Sequence, residues 1–141
     1  MTRRSPPDLD PRLAEDPYPF QTLLGLRMVG WGPDVARFEL PIRPELGNRH
    51  GIPHGGVYAS LLDTVMGFAG CWTGDPQRRQ MAMTLSLTTN FLAPATGTVL
   101  IGEGRRIGGG RSIYFAEATI TDDAGTLVAT GAGTFRYRKG G

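Results

Sequence analysis

The sequence predicts an α+β domain in which one long apolar helix packs against an antiparallel sheet of about five to six strands. Two observations lead to this fold class. Two segments with alternating apolar residues precede a single long apolar segment, and four more alternating segments follow it. Clusters of Gly, Pro and Asp separate these segments, as expected for the turns between strands.

Composition limits the kinds of protein that this chain can be. Its 141 residues are 40% hydrophobic and 20% charged, which suits one globular domain. The net charge is only +2, and no run of Lys and Arg with interleaved aromatic residues indicates nucleic acid as a partner. The N-terminus lacks the apolar segment of a secretory signal, and no stretch approaches the ~20 apolar residues of a membrane span. We therefore expect a cytoplasmic protein that binds neither nucleic acid nor membranes.

The residues able to bind metal are few. The single cysteine, Cys71, excludes an internal disulfide and a Cys-ligated metal cluster, and its apolar surroundings predict a small buried side chain. His50 and His54 are four residues apart, but they lie in a Pro-containing loop without a third ligand at a suitable spacing. We expect no metal site.

The elements follow in order along the chain. Residues 1–16, rich in Pro, Asp and Arg, are predicted to form a flexible N-terminal arm, and residues 17–141 a single domain. A short helical turn is expected at residues 19–24. The first two strands should form a hairpin and the last four an antiparallel meander. The predicted strands span residues 26–31, 35–42, 80–93, 97–107, 111–122 and 126–138.

The predicted central helix spans residues 54–72, and apolar side chains cover most of its circumference. Asp63 is the only acidic residue of this helix, and the helix contains no Lys or Arg. A carboxylate in such a helix costs several kcal/mol unless the protein stabilises or uses it. A water-facing stripe is the alternative, but a solvent face of five turns normally carries several charges. The stripe of small and polar residues consists of Gly56, Ser60, Asp63, Thr64, Gly67 and Cys71.

The start of this helix is suited to an anion. A loop from Pro41 to Pro53 leads into His54, Gly55 and Gly56, where free backbone N–H groups and the helix dipole favour a developing oxyanion. Gly55 and Asp63 are eight residues apart, a rise of roughly 12 Å along one helix. One side chain cannot span that distance, so joint action on one carbonyl requires two chains. Antiparallel helices in a homodimer would pair them.

These residues resemble a known family, the phenylacetate-degradation type of hotdog thioesterase. That family has Asn, then Gly, then His-Gly-Gly, and an Asp or Glu nine residues after the His. The similarity extends through later segments and covers about residues 20–138. The matching positions are Asn48, Gly51, His54, Gly55, Gly56 and Asp63, followed by residues 90–95, 110–112 and 123–129.

The resemblance implies a hotdog fold and a dimer whose sheets join, often paired again into a tetramer. It implies hydrolysis of an acyl-CoA thioester without a metal or cofactor. Asp63 would be the general base or nucleophile, and the Gly55 amide would hold the oxyanion. Asn48 would orient the water or the carboxylate, and Thr84 would position water. His54 would fix the loop and form a hydrogen bond near the thioester.

The same resemblance suggests residues that bind the substrate, whose coenzyme A end needs cations for its phosphates. The acyl group stays open, because aromatic and Met side chains are more often core than pocket. The predicted substrate-binding residues are Gly56, Phe91, Gly109, Gly110, Arg111 and Arg136, with Arg138 and Lys139 as further cations near the nucleotide.

Two other functions fit the same features. A hotdog dehydratase or hydratase would also act on an acyl thioester, but it usually pairs a His with a carboxylate as acid and base. A non-catalytic acyl-CoA-binding module would have no need of the Asp63 carboxylate. Release of free thiol distinguishes hydrolysis from both.

Overall fold

The structure, a computed structural model, describes residues 8–139. It contains one long helix, one short helix and six strands, together with a 3-10 turn at Pro44–Leu46. The predicted α+β class and the short helical turn are confirmed. In chain order the elements are α1 Pro19–Leu24, β1 Arg27–Gly32, β2 Val35–Pro41, α2 Gly55–Ala69, β3 Met81–Phe91, β4 Val99–Gly109, β5 Ile113–Asp122 and β6 Leu127–Arg138.

The six strands form one antiparallel sheet in the order β1-β2-β4-β5-β6-β3. The predicted hairpin of β1 and β2 is confirmed, and β4, β5 and β6 form a meander. The prediction that β3 belongs to this meander is wrong, because β3 pairs with β6 at the edge of the sheet. Helix α2 carries the chain across the sheet between β2 and β3. Strand spacing in the sequence contains no information about which edge the next strand then occupies.

Helix α2 lies directly against the sheet, as its apolar circumference predicts. Leu61, Leu62 and Val65 are completely buried. Two glycines of β4 allow the close approach. A Cβ at Gly104 would lie 2.5 Å from the carbonyl carbon of Val65, and one at Gly102 would lie 2.8 Å from the side chain of Leu61.

We expect Gly104→Ala to destabilise the domain by about 3 kcal/mol or more, because the added methyl meets helix backbone rather than a side chain that can rotate away. Gly108→Ala on the same strand is the matched control, since a Cβ there meets nothing within 4 Å. Denaturant unfolding at one protein concentration measures both. Equal midpoints for the two variants would show that strand and helix can separate at little cost.

The C-terminal end of α2 is held by aromatic side chains from three strands. The last carbonyl groups of a helix lack partners within it. Here the Trp31 indole N–H and the hydroxyls of Tyr114 and Tyr137 donate to these carbonyls at 2.8–3.0 Å. The helix ends at Ala69, before the predicted residue 72, where the chain passes beneath the Tyr114 ring. The accepting carbonyls belong to Met66, Gly67, Phe68 and Gly70.

The described part of the predicted N-terminal arm contacts the domain. Asp8 forms a β-bridge with Gly30, and the Glu15 carboxylate lies 3.4 Å from Nε of Arg79. The division into an arm at residues 1–16 and a domain at 17–141 stays a prediction.

Candidate active site

Asp63 lies half-buried in the middle of α2, facing the edge strand β3. The Thr84 hydroxyl donates a hydrogen bond of 2.6 Å to Oδ1 of Asp63. The structure thus brings together two predicted site residues that are 21 positions apart. The bond restrains the carboxylate and leaves Oδ2 for another donor.

A cavity of about 210 Å³ opens beside this pair, between α2, β3 and the segment before α1. Its walls include Phe68 from α2 and Phe135 from β6. Thr64 and Cys71, which the sequence placed on the polar stripe, also line it but are buried. Asp63 is therefore the one charged group that α2 presents to this space.

The start of α2 is organised by His54, its N-cap residue. The Nδ1 atom of His54 accepts a hydrogen bond of 2.8 Å from the Gly56 N–H. The neutral ring therefore carries its proton on Nε2. The Gly55 N–H, in contrast, has no acceptor anywhere in residues 8–139. Of the two glycine amides, it is Gly55 that remains open to a ligand.

Asn48 holds the loop that leads to the helix. Its side-chain oxygen accepts hydrogen bonds from the backbone of His50 at 2.8 Å and of Ile52 at 3.4 Å. Asn48, Gly55 and Phe91 line one pocket together. A Cβ at Gly55 would lie 3.4 Å from the Phe91 ring, so this ring forms a wall beside the open amide.

The predicted catalytic residues therefore form two groups within one chain. Gly55 and Asn48 belong to the pocket at the start of α2, whereas Asp63 and Thr84 line the cavity at its middle. The eight-residue separation of Gly55 and Asp63 corresponds to roughly 12 Å along the helix axis. One small carbonyl group cannot touch both within a single chain.

A basic groove of about 520 Å³ lies near the C-terminal end of β6. It contains Arg111, as predicted for the coenzyme A end, but Arg136 does not line it. Arg78 and Arg79 are not among the cations predicted from the sequence. The signal that could have identified them is an adjacent basic pair between the central helix and the next strand. The cations that line the groove are Arg78, Arg79, Arg111, Arg138 and Lys139.

The glycines before Arg111 shape the hairpin between β4 and β5. Gly109 has φ 130°, and a Cβ there would lie 2.5 Å from Cα of Tyr114. The Gly110 N–H donates to the carbonyl of Ile113 at 2.8 Å. Neither glycine lines the groove, so within one chain both of them shape the turn that places Arg111 at its wall.

Cys71 is buried, as the sequence predicts, and burial raises the pKa of its thiol to about 11. A thiol that stays protonated at neutral pH is a poor nucleophile. Neither helix in the described part of the chain has the length and hydropathy of a membrane-spanning segment.

The sequence of this chain matches a known protein family. The family model of the thioesterase superfamily matches residues 50–129, which include Gly55, Asp63 and Thr84. The chain belongs to the thioesterase superfamily. It is a thioester hydrolase with the hotdog fold, as the resemblance in its sequence implied.

Relatives of this thioesterase agree with the assignment. A Mycobacterium tuberculosis protein named as an esterase is 31% identical over 114 residues, which cover 80% of this chain and 81% of the relative. The structure of a conserved Pseudomonas aeruginosa protein matches with a TM-score of 0.78 and 29% identity, over 90% of this chain and 97% of that one.

The Escherichia coli PaaI protein from the phenylacetic acid degradation operon shares the fold. Its structure matches this thioesterase with a TM-score of 0.75 over 86% of this chain and 85% of that one. The identity is 21%, so this likeness concerns the fold alone.

Proposed function

We propose that this thioesterase hydrolyses a small aryl or a short- to medium-chain acyl-CoA, at an active site that two chains share. The observation that carries the proposal is the division of the site. A carboxylate held by Thr84 and an open helix N-terminal amide lie on one helix, too far apart to serve one carbonyl. A two-fold axis that places two α2 helices antiparallel brings each Gly55 toward the partner's Asp63.

The edge strand β3 supports this dimer. It is 11 residues long, pairs only with β6 among residues 8–139, and carries several large exposed apolar side chains. An open edge of this kind is a ready surface for pairing with a second sheet. Pairing of two β3 strands would cover this edge. The exposed apolar side chains are Met81, Met83, Leu85 and Phe91.

In the proposed reaction the Gly55 N–H donates to the thioester oxygen, where negative charge develops. Asp63 either takes a proton from water, whose oxygen then adds to the carbonyl carbon, or attacks that carbon itself. In the first route the tetrahedral intermediate expels the coenzyme A thiolate and becomes the carboxylic acid, and the proton held by Asp63 passes to the thiolate. In the second route the attack of Asp63 expels the thiolate and forms a mixed anhydride. Water then cleaves the anhydride, which releases the carboxylic acid, restores the Asp63 carboxylate and supplies the proton for the thiolate. Neither route needs a cofactor, since coenzyme A belongs to the substrate.

The coenzyme A phosphates fit the basic groove. We expect Arg111→Ala to raise KM for an acyl-CoA about three- to tenfold with little change in kcat, because it removes one charge-assisted contact at an exposed site. The corresponding acyl-pantetheine, which lacks the nucleotide, should show no change. Arg27→Ala, at an exposed arginine of β1, is the control. An equal rise in KM for both substrates would separate Arg111 from phosphate binding.

Dehydration is the competing reaction, and His54 argues against it. Because Nδ1 of His54 accepts the Gly56 N–H and Nε2 carries the proton, the neutral ring offers no free base. Loss of this cap would also cost helix stability. The geometry therefore favours the single carboxylate of hydrolysis over the acid and base pair of dehydration.

Thiol release from a panel of short, medium and aryl acyl-CoAs tests the function, with enoyl absorbance followed in parallel on hydroxyacyl-CoAs. We expect release of free coenzyme A with no enoyl product. An enoyl signal would establish the dehydratase instead. Binding of every ester without turnover of any would establish the binding module.

A further inference from the structure

The cavity beside Asp63 extends along α2 rather than ending at the carboxylate. It is lined by residues of α2 and of the chain just after it, from Asp63 to Cys71, and by residues of β3 and its approach from Gln80 to Thr84. The six helical steps from Asp63 to the end of α2 at Ala69 correspond to roughly 9 Å. Asp63 and Thr84 lie at one end of this channel, and Cys71 and Gln80 at the other.

The N-terminal segment covers this channel. Glu15 and Tyr18 both line the cavity. The Tyr18 hydroxyl lies 3.3 Å from Oγ1 of Thr64, and the Glu15 carboxylate lies 3.4 Å from Nε of Arg79. Residues 15–18 are thus attached to α2 near Asp63 and to the chain before β3 at the far end.

Apart from Oδ2 of Asp63, the polar side-chain groups that line the channel are already engaged. Tyr18 bonds to Thr64, Thr84 to Asp63, and the Gln80 amide to backbone carbonyls. A pantetheine arm placed here would find few partners for its two amides, and unpaired buried amides are costly. An apolar group in the same place needs no hydrogen-bond partners.

We propose that this channel holds the acyl group of the substrate and that the segment Glu15–Tyr18 limits its length. The proposal rests on the function proposed above and names its substrate class. A cavity of 150 Å³ is known to hold benzene, so by proportion about 210 Å³ holds about eight non-hydrogen atoms. The substrate is therefore an acyl group of phenylacetyl or octanoyl size, and a longer chain must either pass Glu15 at the far end or displace the cover that Tyr18 forms along the channel.

Two substitutions should shift the preferred length in opposite directions. Tyr18→Ala removes a wall and should raise kcat/KM for longer chains relative to octanoyl-CoA about tenfold, the lower range for one or two methylenes in an apolar pocket. Gly67→Ala should shift the preference about tenfold toward shorter chains. Its added Cβ lies in the cavity wall at 3.8 Å from the Phe135 ring, an ordinary contact, so the helix tolerates it.

The series runs from acetyl-CoA to palmitoyl-CoA, with phenylacetyl-CoA as the aryl member. Leu23→Ala, at an exposed side chain of α1, is the control for changes near the N-terminus. Thermal unfolding and size-exclusion chromatography check that each variant keeps its fold and assembly. Gly67→Ala keeps the test decisive if Tyr18→Ala fails to fold.

Affinities of non-hydrolysable acyl-CoA thioethers and of coenzyme A itself are measured on the same variants. Opposite shifts in length preference, with unchanged affinity for coenzyme A, would support the channel. Hydrolysis with an unshifted length profile would overturn it, as would a change in affinity equal for all chain lengths and for coenzyme A, which indicates pantetheine as the occupant. Shifted thioether affinities without any hydrolysis would leave the channel standing and remove the proposed reaction.

Discussion

Replacement of Asp63 by Asn is expected to lower kcat for acyl-CoA hydrolysis at least ~10²-fold, because the amide can neither accept a proton from water nor attack the carbonyl. The substitution preserves shape, and the amide oxygen can still accept the 2.6 Å hydrogen bond from Thr84. Stability should change little. Thiol release at saturating substrate measures the effect.

The matched control is Asp34→Asn, in the turn between β1 and β2. Asp34 has φ 62°, a backbone conformation that Asn also tolerates. Its side chain is exposed to solvent, and the residue is distant in sequence from Asp63. A loss below tenfold for Asp63→Asn, at unchanged stability, would mean that another group activates the nucleophile and that Asp63 only shapes the cavity.

Gly55→Pro should lower kcat by about 10²–10³-fold, the usual cost of removing one oxyanion donor. Proline lacks the N–H but is well accommodated at the first position of a helix. The preceding residue, His54, already has φ −64° and ψ 143°, the extended backbone that a following proline requires. Gly55→Ala is the control, because it adds a Cβ beside Phe91 but keeps the N–H.

Equal losses in the two Gly55 variants would assign the effect to crowding by the Cβ and not to the amide. A loss confined to the proline variant, with KM changed less than kcat, would identify the amide as a donor to the transition state. Circular dichroism and thermal unfolding show whether α2 keeps its first turn.

The two defects together test whether the site is shared. Chains with Asp63→Asn and chains with Gly55→Pro are each nearly inactive, but a mixed dimer contains one site with both defects and one site with neither. Random pairing should restore roughly a quarter of the wild-type rate per chain. If both residues acted within one chain, no mixture would recover activity.

The sequence could predict the central helix and its carboxylate because both depend on local pattern. An apolar circumference with one Asp indicates a buried helix whose carboxylate must be stabilised or used by the protein. This inference does not depend on the fold of the other segments. The open amide of Gly55 was predictable for the same reason, since a helix start without a charged residue leaves N–H groups free. The eight-residue spacing likewise predicts that joint action of Gly55 and Asp63 on one carbonyl needs two chains.

Thr84 shows the limit of that reasoning. Its position in the sequence indicated a site residue only through resemblance, and the hydrogen bond to Asp63 depends on β3 lying beside α2. The sequence alone assigned β3 to a meander with β4, where Thr84 would have been elsewhere. β3 pairs with β6, a strand that is distant in sequence, and this pairing depends on how α2 crosses the sheet.

What the sequence determined by itself was therefore the fold class, the central helix and the single carboxylate on it, because periodicity and composition act over a few residues. The tertiary structure alone decided the edge position of β3, the contact of Gly104 with the helix backbone, the basic groove that includes Arg78, and the cover of Tyr18 over the Asp63 channel. Each of these joins segments that are far apart in the chain. Their free energies come from packing between surfaces that no local pattern describes.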